Sequence, residues 1–163
     1  RQAGTPSISL VPGEVLNFTG TWSATGFRQT MKLESGHETM IFRLTGSLLL
    51  AGEQRLRRGF KADVIGFSDN RSGMEGRCVW TDDRGEKVFS ELHGEGKVPG
   101  ELIEGIFLGG TGRYSSVSGK YTFRWKRLID KENGDVSGRV VDMKGWVRDG
   151  SPEALPATTE ARK

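Results

Sequence analysis

The chain is poor in the residues that build chemical centres. Its 163 residues include one cysteine, Cys78, and two histidines, His37 and His93. A lone thiol can neither close an intramolecular disulfide nor supply the two or more thiolates of a cysteine zinc site. Two histidines leave little for a histidine-rich metal centre, so neither a metal nor a cofactor is expected. Long apolar runs are missing too. The longest is Leu48-Leu49-Leu50-Ala51, far short of the roughly 18 to 20 residues of a membrane-crossing helix, and a soluble chain without a transmembrane segment is expected. The excess of positive charge is small and dispersed: 24 lysines and arginines, interleaved with 21 aspartates and glutamates, leave a net charge of +3. A nucleic-acid footprint would be more concentrated, and no nucleic-acid partner is expected. No Gly-x-Ser-x-Gly elbow and no histidine spacing suited to a metal occurs, which argues against a hydrolase or metalloenzyme. Nor does any segment of ten or more residues have clean helical spacing; residues 51–58 hold the one arguable helical turn.

What is abundant is glycine, 24 residues against 34% hydrophobic side chains. The glycines are scattered among hydrophobic residues rather than gathered in a linker, as in a fold they punctuate. Between them the apolar pattern has a period of two. In Leu16-Asn17-Phe18-Thr19-Gly20-Thr21-Trp22-Ser23 the even positions are apolar or glycine and the odd ones small and polar, which is the pattern of a strand with one buried face. Residues 40–45 and 120–127 repeat it. Further strands are expected at 29–35, 60–67, 74–82, 87–94, 102–108 and 136–148, separated by turn sequences such as Asp69-Asn70-Arg71-Ser72-Gly73 and Asn133-Gly134-Asp135. The expected organisation is an N-terminal arm over 1–13, a β domain over 14–148 and a flexible tail over 149–163.

Eight or nine short strands without intervening helices imply an all-β antiparallel meander, closed as a barrel or folded as a sandwich. Gly20, Gly46 and Gly76 share the face that carries Trp22, Phe42 and Trp80. A glycine inside a strand costs stability and needs a steric reason. Tight curvature supplies that reason at many strands at once, and closure removes exposed edges. An eight- to nine-stranded up-and-down antiparallel β-barrel is the favoured architecture.

The stretch Phe107-Leu108-Gly109-Gly110-Thr111-Gly112-Arg113-Tyr114, followed by Gly119 and Tyr121, resembles the Gly-Gly-Thr-Gly-basic-aromatic segment of the allene oxide cyclase and dirigent superfamily. The resemblance covers about 15 residues, counted to Tyr121, and no other residue match is found. It implies an eight-stranded barrel, often oligomeric, whose lumen takes a lipid-derived or phenolic molecule without a cofactor. The glycine cluster is not a phosphate loop, because a strand rather than a helix follows it.

The apolar face offers Phe18, Trp22, Met31, Leu33, Met40, Phe42, Leu44, Cys78, Trp80, Tyr121, Phe123 and Trp125, either as packed core or as the wall of a ligand cavity. The candidate ligand-binding residues are Trp22, Phe42, Trp80, Arg113, Tyr114, Tyr121, Phe123 and Trp125. Candidate ionisable groups are Glu91 and His93, which share a strand face but read more readily as a solvent-facing polar stripe, and Glu34 with Arg43, either an acid and cationic clamp for a polar head group or merely a surface pair. Cys78 is read as a small buried hydrophobe. Two functions follow. One is a barrel that binds a small apolar or amphiphilic molecule, possible cyclase or isomerase activity included, the lumen restricting the substrate to one conformer. The other is a non-catalytic interaction module or accessory subunit of an exported assembly. A homo-oligomer or larger assembly is expected in either case. The start at Arg1 points to a trimmed or processed chain, periplasmic or secreted, otherwise cytoplasmic.

Overall fold

The computed structural model describes residues 13–52, 58–96 and 100–149. Eight strands form a closed antiparallel meander in which each strand pairs with its sequence neighbours. They are β1 (Val15–Lys32), β2 (Glu38–Gly52), β3 (Arg58–Asp69), β4 (Gly73–Thr81), β5 (Lys87–Gly94), β6 (Leu102–Gly110), β7 (Val117–Asp130) and β8 (Asp135–Asp149). β8 closes the barrel on β1, and a single 3-10 turn, Gly112–Tyr114, lies between β6 and β7. Among the described residues no helix is long and apolar enough to cross a membrane. The arms expected at 1–13 and 149–163 fall almost wholly outside the described residues.

The segments expected as separate strands at 16–23 and 29–35 are one. β1 runs unbroken through Thr25-Gly26-Phe27 because Gly26 does not break the strand: it lets β2 come close. A Cβ there would meet the Arg43 carbonyl and the Leu44 Cα, and one at Gly46 would meet Ser23 and Ala24 in return. This continuity also corrects the inward assignment of Met31 and Leu33. Counting in phase from Trp22 sends Met31 outward, and the two are 63% and 49% exposed. The helical turn expected at 51–58 is not seen at its ends: Ala51 and Gly52 finish β2 and Arg58 opens β3, while 53–57 lie outside the described residues.

Two irregularities set which residues face in. On β8 an extra residue around Val141 and Asp142 shifts the register against both neighbours, and Asp142 takes a positive φ of 55° there. On β7 an extra residue at Leu128 lies between the pairs Arg127↔Gly138 and Ile129↔Ser137. A bulge of this kind inserts one unpaired residue and reverses the alternation beyond it.

One half of the lumen is filled by aromatic rings. Trp80, Phe107 and Tyr121 meet at centroid distances of 5.2 to 5.4 Å. Phe18 and Phe60 close on the same group, and Phe123 stacks on Tyr121 at 6.0 Å. Tyr121 lies flat on Gly105, where a Cβ would fall 2.5 and 2.6 Å from its ring Cε atoms. Gly105→Ala is therefore expected to destabilise the fold by about 1 to 3 kcal/mol, the usual range for overpacking. Gly59→Ala, whose Cβ would meet nothing closer than 3.4 Å, should leave the thermal midpoint unchanged or raise it. Thermal denaturation of both variants checks this; an unshifted midpoint for Gly105→Ala would refute the packing account.

Candidate functional site

The two ends of the barrel differ. At one end, the turns at 33–37, 70–72 and 131–134, with Gly96, Gly100 and Glu101 from between β5 and β6, surround a cavity of about 1020 Å³ that opens to solvent. Its apolar wall includes Trp22, Phe42, Leu44, Val64, Leu92, Phe123 and Trp125. The walls are smooth because rings lie back against glycines: the Trp125 indole covers Gly138, and Phe42 covers Gly66. Trp22 and Trp125 pack together at 5.9 Å. The Trp22 Nε1–H is buried without a hydrogen-bond acceptor, which typically costs about 1 to 3 kcal/mol.

Higher up, β1 continues the inward face with Arg28, Thr30 and Lys32, and β7 continues it with Arg127 and Asp130, all on the cavity lining. Arg28 donates through Nε to Asp130 Oδ1 at 2.8 Å and through Nη1 to Thr30 Oγ1 at 2.9 Å. Arg127 Nη1 donates to Asp130 Oδ2 at 2.7 Å. Hydrogen bonds from Arg28, joined by Arg127, hold the Asp130 carboxyl below its ordinary range despite some burial. The neighbouring hairpins are tied together at the mouth. His37 Nε2 lies 2.9 and 3.0 Å from the two Asp69 oxygens, Asn70 Nδ2 donates to the Gly36 carbonyl, and Asn70 Oδ1 accepts from the Glu38 N–H.

The opposite end is shut by a buried ionic cluster. Asp82, in the β4–β5 turn, accepts at Oδ2 from Tyr114 Oη (2.8 Å), Arg113 Nη2 (2.6 Å) and Arg58 Nη2 (3.1 Å). Its Oδ1 accepts from the backbone N–H of Arg84 and Glu86. Arg113 also donates to Glu86 at 2.8 Å, and its guanidinium stands 5.3 Å from the Tyr114 ring centre. Burial by itself would raise the Asp82 carboxyl, but the Tyr114, Arg84, Glu86 and Arg58 hydrogen bonds outweigh it and hold the group well below the usual carboxylate range. Tyr114 is pushed up to about 12, chiefly by burial and then by donating to Asp82.

Of the residues singled out from sequence, Trp22, Phe42, Phe123 and Trp125 line the open cavity together. Trp80 and Tyr121 lie in the filled half beside Cys78 and Ser90; the Ser90 and Tyr121 hydroxyls are 2.7 Å apart, and burial pushes the Cys78 thiol up to about 12. Arg113 and Tyr114 belong to the shut end. Glu91 and His93 do pair, Glu91 Oε1 lying 2.8 Å from His93 Nε2, but on the outward face of β5, in alternation with buried Val88, Ser90 and Leu92. Glu34 sits exposed in the β1–β2 turn and Arg43 points outward from the middle of β2; no ion pair joins them. Sequence reasoning missed Arg28, Arg127 and Asp130, although Arg28 follows in phase from Trp22. It also missed Asp82, in the turn between β4 and β5, and Arg58, at the start of β3.

The depressed Asp82 carboxyl adds stability that is complete above its unfolded-state value, about pH 4, and is lost as the pH falls toward the folded-state value. Asp82→Asn leaves Arg58 and Arg113 without their shared anion and is expected to cost about 3 kcal/mol or more while flattening the acid limb of stability against pH. Urea denaturation between pH 2 and 7 measures both; parallel acid limbs in the two proteins would exclude Asp82 as their source. No family model, characterised protein or solved structure matches the chain.

Proposed function

We propose that the barrel binds a small apolar or amphiphilic molecule in its open half. The observation that carries this reading is the cavity of about 1020 Å³, entered from one end and walled by Trp22, Phe42, Phe123 and Trp125. Its volume is at the upper end of the range for small-molecule sites, and an apolar wall with a few polar groups is their usual make-up. The ionisable side chains of the cavity gather at its mouth rather than on its floor, which favours binding and conformational restraint over acid–base chemistry. Any cyclase or isomerase activity, as the resemblance to the allene oxide cyclase and dirigent superfamily implies, would then act by holding one conformer of the substrate.

A non-catalytic interaction module is the second reading. It is supported by neighbouring outward residues of β2 and β3: Ile41 and Phe67 are register partners, and with Ile65 they are about half exposed or more. Native mass spectrometry showing a monomer alone would remove the expectation of a homo-oligomer.

The cavity reading is tested with 1-aminoanthracene, a fluorophore uncharged at neutral pH. It should bind with one-to-one stoichiometry and quench tryptophan emission. Met74→Trp, placed on the cavity wall, should weaken binding by about tenfold or more without lowering the thermal midpoint. Unchanged affinity in this variant would exclude the cavity as the site.

A further inference from the structure

An eight-stranded barrel with an apolar lumen does not need arginine on its inward face, because a charged group there costs free energy unless it is paired. This barrel has two at the mouth of the cavity, Arg28 on β1 and Arg127 on β7, besides Arg58, which is buried against Asp82 at the shut end. Their placement follows from the backbone. Arg28 continues the phase of Trp22 along β1, and Arg127 continues that of Trp125 along β7. The bulge at Leu128 then turns Ile129 outward and brings Asp130 opposite buried Val136, on the inward side.

The two guanidiniums share a single carboxylate. Asp130 meets Arg28 with one oxygen and Arg127 with the other, so the site has the geometry to hold a carboxylate and keeps one positive charge beyond what Asp130 neutralises. Arg127 is joined to it through Nη1 alone; guanidinium forks match carboxylates in pairs of bonds, and its other donors are not used in this contact. Of the other charged residues on the cavity lining, Lys32 and Glu38 face each other at 3.8 Å, Glu101 accepts the Gly96 N–H, and Lys126 adds a further cation on β7. The positive charge is therefore concentrated on the β1 and β7 wall.

Depth connects this wall to the cavity. From Trp22 to Arg28 is six residues of β1, about 20 Å of strand and about 15 Å along the axis at a usual barrel tilt. A molecule with its apolar body against Trp22 and Trp125 places its far end beside the two arginines. We infer that Arg28 and Arg127 form a carboxylate-recognising site at the cavity mouth, which selects amphiphiles carrying one anionic head, with Asp130 as a resident carboxylate that an incoming one competes with. The inference rests on the cavity being the binding site.

Three probes with one tail and different heads test it: decanoate, decanol and decyltrimethylammonium, titrated at low ionic strength by tryptophan fluorescence and by displacement of 1-aminoanthracene. Decanoate should bind about tenfold or more tightly than decanol, and decyltrimethylammonium most weakly. The Arg28→Gln, Arg127→Gln double variant should lose the preference for decanoate while keeping its affinity for decanol. Asp130→Asn should raise decanoate affinity several-fold, a gain that a purely structural role for Asp130 does not produce. It carries the test by itself if the double variant fails to fold. Equal binding of decanoate and decanol overturns the head-group site and leaves the cavity reading standing. If none of the three displaces 1-aminoanthracene, and that probe itself does not bind, both fail together.

Discussion

Rings lying flat on glycine backbone govern how this barrel is filled. Eight strands enclose a lumen about as wide as the side chains that point into it, and an aromatic ring can lie flat on the wall where the neighbouring strand lacks a Cβ. Tyr121 on Gly105, Trp125 on Gly138 and Phe42 on Gly66 all use this arrangement. The same device has two outcomes. Around Tyr121 the rings of Phe18, Trp80 and Phe107 come in from other strands and the lumen is packed shut. Around Trp125 and Phe42 the rings lie back, no opposing ring reaches across, and the centre stays open.

The two ends then handle charge in opposite ways. At the shut end every strong charge is committed: Asp82 is surrounded by donors, and Arg58 and Arg113 are drawn onto it. Removing any member strands another in a place water does not reach, so this end is costly to change. At the open end the side chains of Arg28 and Asp130 are about a quarter exposed and that of Arg127 is 44% exposed, so solvent screens the group more than it screens Asp82 and Arg58, whose side chains are 0% and 4% exposed. Exchange of partners there costs the fold less. Buried and partly solvated polar clusters are thereby separated along the barrel axis.

Much of the architecture was legible because strand alternation is a strong local signal. The run Lys120-Tyr121-Thr122-Phe123-Arg124-Trp125 announces its buried face without help from the rest of the chain. The barrel followed from glycines within strands, and four of the aromatic residues singled out do line the cavity. Where sequence reasoning fell short, phase had to be carried across long distances. Residues 16–23 and 29–35 read as separate strands, so the phase of Trp22 is not carried through Gly26; Met31 is assigned inward and Arg28 is missed. Trp80 and Tyr121 have the same alternation as Trp22 and Phe123; only the pairing of distant strands assigns two to the packed half and two to the open one. Asp82 and Arg113 are 31 residues apart, and nothing local marks them as partners.

The bulge at Leu128 makes the polarity of the mouth a matter of register rather than composition. Threaded as a regular strand, the same residues would turn Ile129 over the cavity and Asp130 into solvent, and the rim on that side would be greasy instead of salt-bridged. The short turn at 131–134 joins this stretch to β8 and lies outside the packed core. Gain or loss of a single residue near it would therefore be enough to exchange a charged rim for an apolar one, with every residue of the aromatic floor left as it is. On the binding function proposed above, small insertions and deletions at this rim would alter ligand preference without any substitution in the wall.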